Sequence, residues 1–210
     1  MAMSSSLHVY LLDVAATRAL VGSGDDRLLE AVRTEFAGRL AEADEYFEFD
    51  LADGAPTAYE ALRAVVHGGP FDAPAQFTFQ YGYAYERLCE FTGRFLPNDS
   101  FTPHRGDWLS VVDRGLADLG VTALSVSDFA HGSAPSPVPR SYTPGCGSWT
   151  PEQVAQALRQ FGDTMEAVEA GRIPLPPLGD QTVVDAVFQA LGWMKAAAEL
   201  PGHGVIGFRF

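Results

Sequence analysis

The sequence predicts an α+β fold: a single, mostly helical domain with a small mixed β-sheet that includes the N- and C-terminal strands. Three observations lead there. Apolar residues recur at helical spacing in several separate segments. Short apolar runs, HVYLL near the start and GVIGFRF at the end, read as strands. The chain has 210 residues, 47% of them hydrophobic and 20% charged, enough apolar material for one substantial core.

Taken in order, His8 to Leu12 reads as a buried strand, and Asp13 turns it into a short helical segment, VAATRALV. Gly22-Ser23-Gly24 breaks that segment, and Asp25 or Asp26 caps the next. Leu29, Val32, Phe36 and Leu40 then predict one amphipathic helix over 26–43. The acidic run that follows, EADEYFEFDLADG, reads as an edge strand or loop whose carboxylates would discourage strand association. Thr57 with Glu60 forms a capping-box pattern at the head of a helix ended by Gly68-Gly69-Pro70. Tyr81, Tyr85, Leu88, Thr92 and Phe95 share one face of a further helix. Leu109, Val112, Leu116 and Leu119 give another, closed by Gly120, and VTALSV after it reads as a strand.

From Gly132 to Ser148 apolar periodicity disappears. Four prolines in that run exclude a helix or a central strand, and a long irregular connection in a compact domain is a place to look for function. Thr150, Pro151 and Gln153 then supply an N-cap, a first-turn proline and the closing residue of a capping box. Val154, Leu158, Phe161 and Met165 line that helix. Val184, Val187, Leu191 and Met194 line the last one, after the proline-rich IPLPPLGD. The terminal GVIGFRF suits pairing with His8 to Leu12, which would close the domain.

Asp and Glu number 27 against 14 Lys and Arg, a formal charge of −13. Such a field repels phosphate backbones and anionic lipid, so neither nucleic acid nor a membrane is the expected partner; a cationic protein or ligand fits better. The N-terminal MAMSSSLHVYLLDV lacks the basic region of a signal peptide, and no window approaches a membrane span, so a cytoplasmic location is expected. Two cysteines, Cys89 and Cys146, are not a disulfide framework.

AYEALRAVVHGG, GSWTPEQVAQAL and WMKAAAELPGHGVIGFRF together resemble the YfbM-like group of small bacterial domains of unknown function. The matching residues are Gly68 and Gly69, then Pro151, Glu152 and Val154, then Ala196 to Ala198. GSGDDRLLEA and YGYAYERLC look more like a related, equally uncharacterised actinobacterial family. The resemblance implies an α+β fold with a small sheet and carries no catalytic residue across.

Candidate chemistry is sparse. Gly22-Ser23-Gly24 lacks the third glycine of a dinucleotide fingerprint, having Arg27 in its place, and Asp25 and Asp26 would repel an anion. Cys146-Gly147-Ser148-Trp149 superficially matches a cysteine-protease run, but Ser148 stands at the nucleophile position. Cys146 is expected to be accessible on its loop; to be reactive it would need a nearby cation such as Arg140 or a histidine, and an inert loop cysteine is the preferred reading. The five histidines show no metal-ligand spacing. A metal site would have to assemble across the fold from His104, Asp107 and His131, and neither a metal nor another cofactor is expected. Asp107 is expected to N-cap the helix starting at Trp108.

Two functions stand side by side. One is a non-catalytic binding protein, immunity-like in one form, whose Glu42, Asp44, Glu45, Glu48 and Asp50 meet a cationic partner. The other is a small-molecule enzyme or ligand carrier with its pocket between the 79–95 helix and the 132–148 loop. Its candidate ligand-binding residues are Tyr81, Tyr85, Glu86, His104, Asp107, His131, Arg140 and Cys146.

Overall fold

The computed structural model describes residues 4–210; the first three residues of the segment read above for a leader lie outside them. In chain order the elements are β1 (Leu7–Leu12), α1 (Val14–Ala19), α2 (Asp26–Glu35), α3 (Ala37–Tyr46), α4 (Glu48–Ala52), α5 (Ala58–His67) and α6 (Phe79–Thr92). They continue as β2 (Arg94–Phe95), α7 (Trp108–Asp118), α8 (Asp128–His131), β3 (Gly145–Trp149), α9 (Pro151–Glu169), α10 (Gln181–Ala198) and β4 (Gly204–Arg209). The α+β class read from the sequence is the observed one. The chain forms two compact units. One takes the chain up to Val14 with Arg94–Gly132 and Cys146–Phe210; the other takes Ala15–Gly93 and Ser133–Gly145.

The first unit holds the sheet, in the order β2-β1-β4-β3. β1 runs antiparallel to β4 from Leu7↔Arg209 to Leu12↔Gly204, so the closing strand does pair with the opening one. β1 also pairs antiparallel with β2 at Tyr10↔Phe95 and Leu11↔Arg94. Against this sheet packs an aromatic cluster of Phe101, Phe129, Trp149 and Trp193, each 2% exposed or less. Phe129 lies 4.5 Å from Trp149, and Phe101 4.8 Å from Trp193. The buried indole N–H groups are satisfied: Trp149 donates to the Ser125 carbonyl at 2.9 Å and Trp193 to that of Pro97 at 2.7 Å.

The strand expected at VTALSV does not form. Val121, Leu124 and Val126 are buried, which explains the apolar pattern, but their backbone donors go elsewhere. Gln160 Oε1 accepts from the N–H groups of Thr122 and Ala123, and Asp113 accepts from those of Val126 and Ser127. Side chains on α9 and α7 have taken the donors that a ladder needs. The strand that does form, β3, closes the proline-rich run and lies at the sheet edge, where a strand next to prolines is tolerated.

The capping box at α9 is present in full. Gln153 N–H donates to Thr150 Oγ1 at 3.3 Å, and Thr150 N–H to Gln153 Oε1 at 2.9 Å. Thr150→Ala is expected to cost about 1 kcal/mol. Urea unfolding followed by tryptophan emission measures it in the right place, since Trp108, Trp149 and Trp193 all lie in the first unit.

The second unit is helical. The expected helix over 26–43 is interrupted at Phe36, whose φ of −105° and ψ of 19° end α2 and begin α3. This break lets the ring stay buried, edge-on to Phe91 at 6.4 Å. The acidic run is helical as well, in α3 and α4, and not an edge strand or loop. Its period-2 alternation is overridden because Asp44 accepts the Ala58 N–H at 2.7 Å, fixing the end of α3 against the start of α5. Thr57 and Glu60 form the expected capping box, and Gly68 ends α5 at φ +75°. The N–H groups of Gly22 and Gly24 donate to the carbonyls of Val65 and Val66, so they are not offered to a phosphate.

Candidate functional site

α6 presents two faces to two surroundings. Tyr81, Tyr85, Leu88 and Cys89 form the buried face. Phe79 and Tyr83, also one turn apart, line a cleft of about 450 Å³ in the second unit. Phe47, between α3 and α4, lies 5.0 Å from Phe79 and 5.6 Å from Tyr83. Asp50 on α4 supplies a carboxylate, and Ser141, Tyr142 and Thr143 form the opposite lip. Tyr142 is 91% exposed, and Tyr46, stacked edge-on to Phe47 at 4.8 Å, is 80% exposed.

Local sequence explains why the lip sits there. Gly82 lets Pro144 approach α6, because a Cβ at 82 would lie 2.8 Å from the Pro144 Cδ. The Thr78 hydroxyl is within 3.0 Å of the Ala75 carbonyl and 3.4 Å of the Arg140 carbonyl, tying the head of α6 to the loop. Burial raises the proton affinity of the Tyr83 phenol above its ordinary value, and the nearby Glu86 charge adds to the effect. Tyr83 is therefore a neutral ring with a polar tip at neutral pH.

The residues anticipated from the sequence are distributed over both units. In the second, Tyr81 is buried, accepts the Ala73 N–H at 3.3 Å and lies edge-on to Phe71 at 4.9 Å. Tyr85 and Glu86 are fully buried on α6. Glu86 lies 3.5 Å from Arg87, which also pairs with Glu90, itself paired with Arg39. The Arg140 side chain is exposed. In the acidic segment Glu42, Glu45 and Glu48 are exposed, Asp44 is occupied by Ala58, and Asp50 faces the cleft.

In the first unit, Cys146 is not the accessible loop thiol anticipated. It is 4% exposed within β3, because the run around it pairs as a strand. Asp107 precedes α7 but its carboxylate accepts no helix N–H; it is exposed and lies 3.9 Å from Arg114. His131 ends α8 and is exposed, and His104 is buried. Among the described residues no group of three or more His, Cys, Asp or Glu side chains is arranged to hold a metal.

Sequence reasoning selected the tyrosine pair on the buried face of α6 and passed over the cleft-lining pair, Phe79 and Tyr83. The same one-turn spacing identifies both. The contributions of Phe47 and Tyr142 come from other elements, and no local pattern announces them.

No helix among the described residues is long and apolar enough to cross a membrane. No curated protein and no solved structure matches the chain. A family model described as a domain of unknown function, DUF7691, matches residues 3–210, and the chain therefore belongs to that family.

Proposed function

We propose that this protein is a non-catalytic cytoplasmic binding protein whose aromatic cleft takes a cationic group from a partner. The observation that carries the reading is the grouping of Phe47, Phe79, Tyr83 and Tyr142 with Asp50 in one cleft; Asp50 comes from α4, which also bears Glu48, and α3 before it bears Glu42 and Glu45. Aromatic rings attract ammonium and guanidinium groups by about 0.5–2 kcal/mol, more as the site is drier. A carboxylate in the same cleft adds charge complementarity, and a net charge of −13 steers a cation toward the surface from a distance. Neutralisation of a basic protein, an immunity-type role, is one form of this function. The YfbM-like kinship suggested by Gly68, Gly69, Pro151 and Glu152 is compatible with it and assigns it no residue.

One feature favours the second reading, a small-molecule carrier or enzyme: the cleft lies between α6 and residues 141–143, the two walls anticipated for such a pocket. Calorimetry with tetramethylammonium and with a short oligo-arginine peptide separates the two. Both probes are expected to bind the wild type. Phe79→Ala and Asp50→Asn are each expected to weaken both by roughly 5- to 30-fold, the equivalent of about 1–2 kcal/mol. Replacing Glu42, Glu45 and Glu48 by glutamine is expected to weaken the peptide and leave tetramethylammonium within about twofold, since exposed charges act mainly on long-range steering. Failure of both probes to bind, or unchanged binding by Asp50→Asn, overturns the proposal. A neutral small molecule co-purifying with wild type and Asp50→Asn alike establishes the carrier reading instead.

A further inference from the structure

The first unit has a cavity of its own, about 560 Å³, between the 99–108 segment and the first turns of α10. His104 lines it and is held rigidly. Its backbone exchanges two 2.8 Å hydrogen bonds with Ser5, and its Nδ1 lies 2.7 Å from the Phe101 carbonyl. A carbonyl only accepts, so Nδ1 carries the ring proton and Nε2 carries the lone pair. Burial lowers the proton affinity of the ring below its ordinary value, the bond to Phe101 opposes this, and the Arg209 charge lowers it further. The imidazole is therefore neutral at neutral pH. His104 is 6% exposed, and among the described residues none hydrogen-bonds its Nε2. Nε2 is not sealed from the cavity that His104 lines, so its lone pair is available to water or to a donor carried by a bound ligand.

The rest of the lining says what kind. Trp108 donates its Nε1–H to the Ser100 carbonyl at 2.8 Å, so its polar edge is occupied and an apolar ring borders the cavity. Asp185 has one oxygen engaged by Gln181 at 2.7 Å and the other without a partner among the described residues. Asp99 and Arg105, both exposed at the rim, have no described partner either. The site thus offers a neutral acceptor in its buried part, carboxylate acceptors and a guanidinium donor at the rim, and one aromatic wall. Asp99 and Asp185 disfavour an anion, Arg105 offsets a cation, and the neutral nitrogen supplies an acceptor for an O–H or N–H donor. A hydroxyl both gives and takes hydrogen bonds, and a ring of C–H groups packs on indole.

We infer that this cavity binds a neutral, hydroxyl-rich small molecule, a monosaccharide or cyclic polyol, one of whose hydroxyls donates to His104 Nε2. The site is separate from the aromatic cleft and stands or falls independently of it.

The test uses the full chain, labelled with ¹⁵N at histidine, titrated with glucose, galactose, mannose, ribose and myo-inositol at millimolar concentrations. Arginine and citrate serve as charged controls. At least one neutral probe is expected to bind and to move the His104 Nε2 resonance while the spectrum keeps the Nδ1–H tautomer. His104→Ala is expected to weaken that probe by at least about tenfold, and His104→Gln, which restores an acceptor, to recover most of the loss. Acidification is expected to release the probe, because a second ring proton turns Nε2 into a donor. Asp99, Asp185, Arg105 and Arg209 are the other charged groups that bear on this titration. Failure of all neutral probes to bind, binding that leaves the Nε2 resonance unmoved, or tighter binding of arginine or citrate overturns the inference. The resonance readout is made on the wild type, so it stands even if His104→Ala does not fold.

Discussion

Gly207→Val is expected to destabilise the first unit by at least about 3 kcal/mol, the upper range for forced overpacking. Gly207 lies in the middle of β4 opposite Val9, and the Phe129 ring packs directly over its Cα. A Cβ there would lie 2.7 Å from Phe129 Cδ2 and 2.8 Å from Cδ1, well inside contact distance. Phe129 has no room to retreat, because Trp149 stands 4.5 Å and Trp193 6.4 Å from its centroid. Either the strand leaves the ladder or the aromatic cluster breaks. Urea unfolding followed by tryptophan emission should show a midpoint far below the wild type, with altered near-ultraviolet circular dichroism before the transition. A midpoint within experimental error of the wild type would mean that the packing of β4 on Phe129 is misassigned.

Asp113→Ala is the second large effect, expected at about 2–4 kcal/mol, because several partners lose their acceptor together. The Asp113 carboxylate accepts from Val126 N–H at 2.6 Å, from Ser125 Oγ at 2.7 Å and from Ser127 N–H at 3.2 Å, and it also takes the Ser127 hydroxyl. Val126 is fully buried, so its N–H has no water to fall back on. Asp113→Asn keeps the shape with half the acceptor capacity and should cost less than the alanine. The Ser125 carbonyl receives the Trp149 indole N–H, so emission from that tryptophan should shift in the alanine variant even where the unit remains folded. Equal stabilities for Asp113→Ala and the wild type would show that the 125–127 turn holds itself.

What was legible in the sequence was local. The capping boxes at Thr57 and Thr150, an aspartate cap at 25 or 26 (Asp25 supplies it) and the glycine stop at Gly68 each depend on residues within one turn of one another, and each is present. The two terminal strands were legible because their apolar runs have lengths and flanks that suit strands. The expected strand at 121–126 failed for a non-local reason, since its donors are claimed by Asp113 and by Gln160, which lies on a later helix. The acidic run misled in the same way, its alternation carrying less weight than the bond from Ala58 to Asp44. The cleft was half legible. Phe79 and Tyr83 follow the helical repeat that revealed Tyr81 and Tyr85, whereas Phe47, Asp50 and Tyr142 reach it from α3–α4 and the loop.

The ladder between β1 and β4 has a consequence during synthesis. Strand β1 leaves the ribosome with Leu7, Val9, Leu11 and Leu12 destined to be covered, yet its main partner, β4, follows only after the helices between them. At about 5–20 residues per second, the roughly 190 residues that separate them take on the order of 10–40 s to translate. Among the described residues, the strand that becomes available beside β1 in the interval is the two-residue β2, with Leu96 N–H adding a bond to the Val9 carbonyl. Most of the helical unit, Ala15–Gly93, is made in one continuous run and has no such wait. The nascent chain therefore carries a half-dressed apolar strand until β4 emerges, and a chaperone that shelters extended apolar segments would act on β1 during that interval.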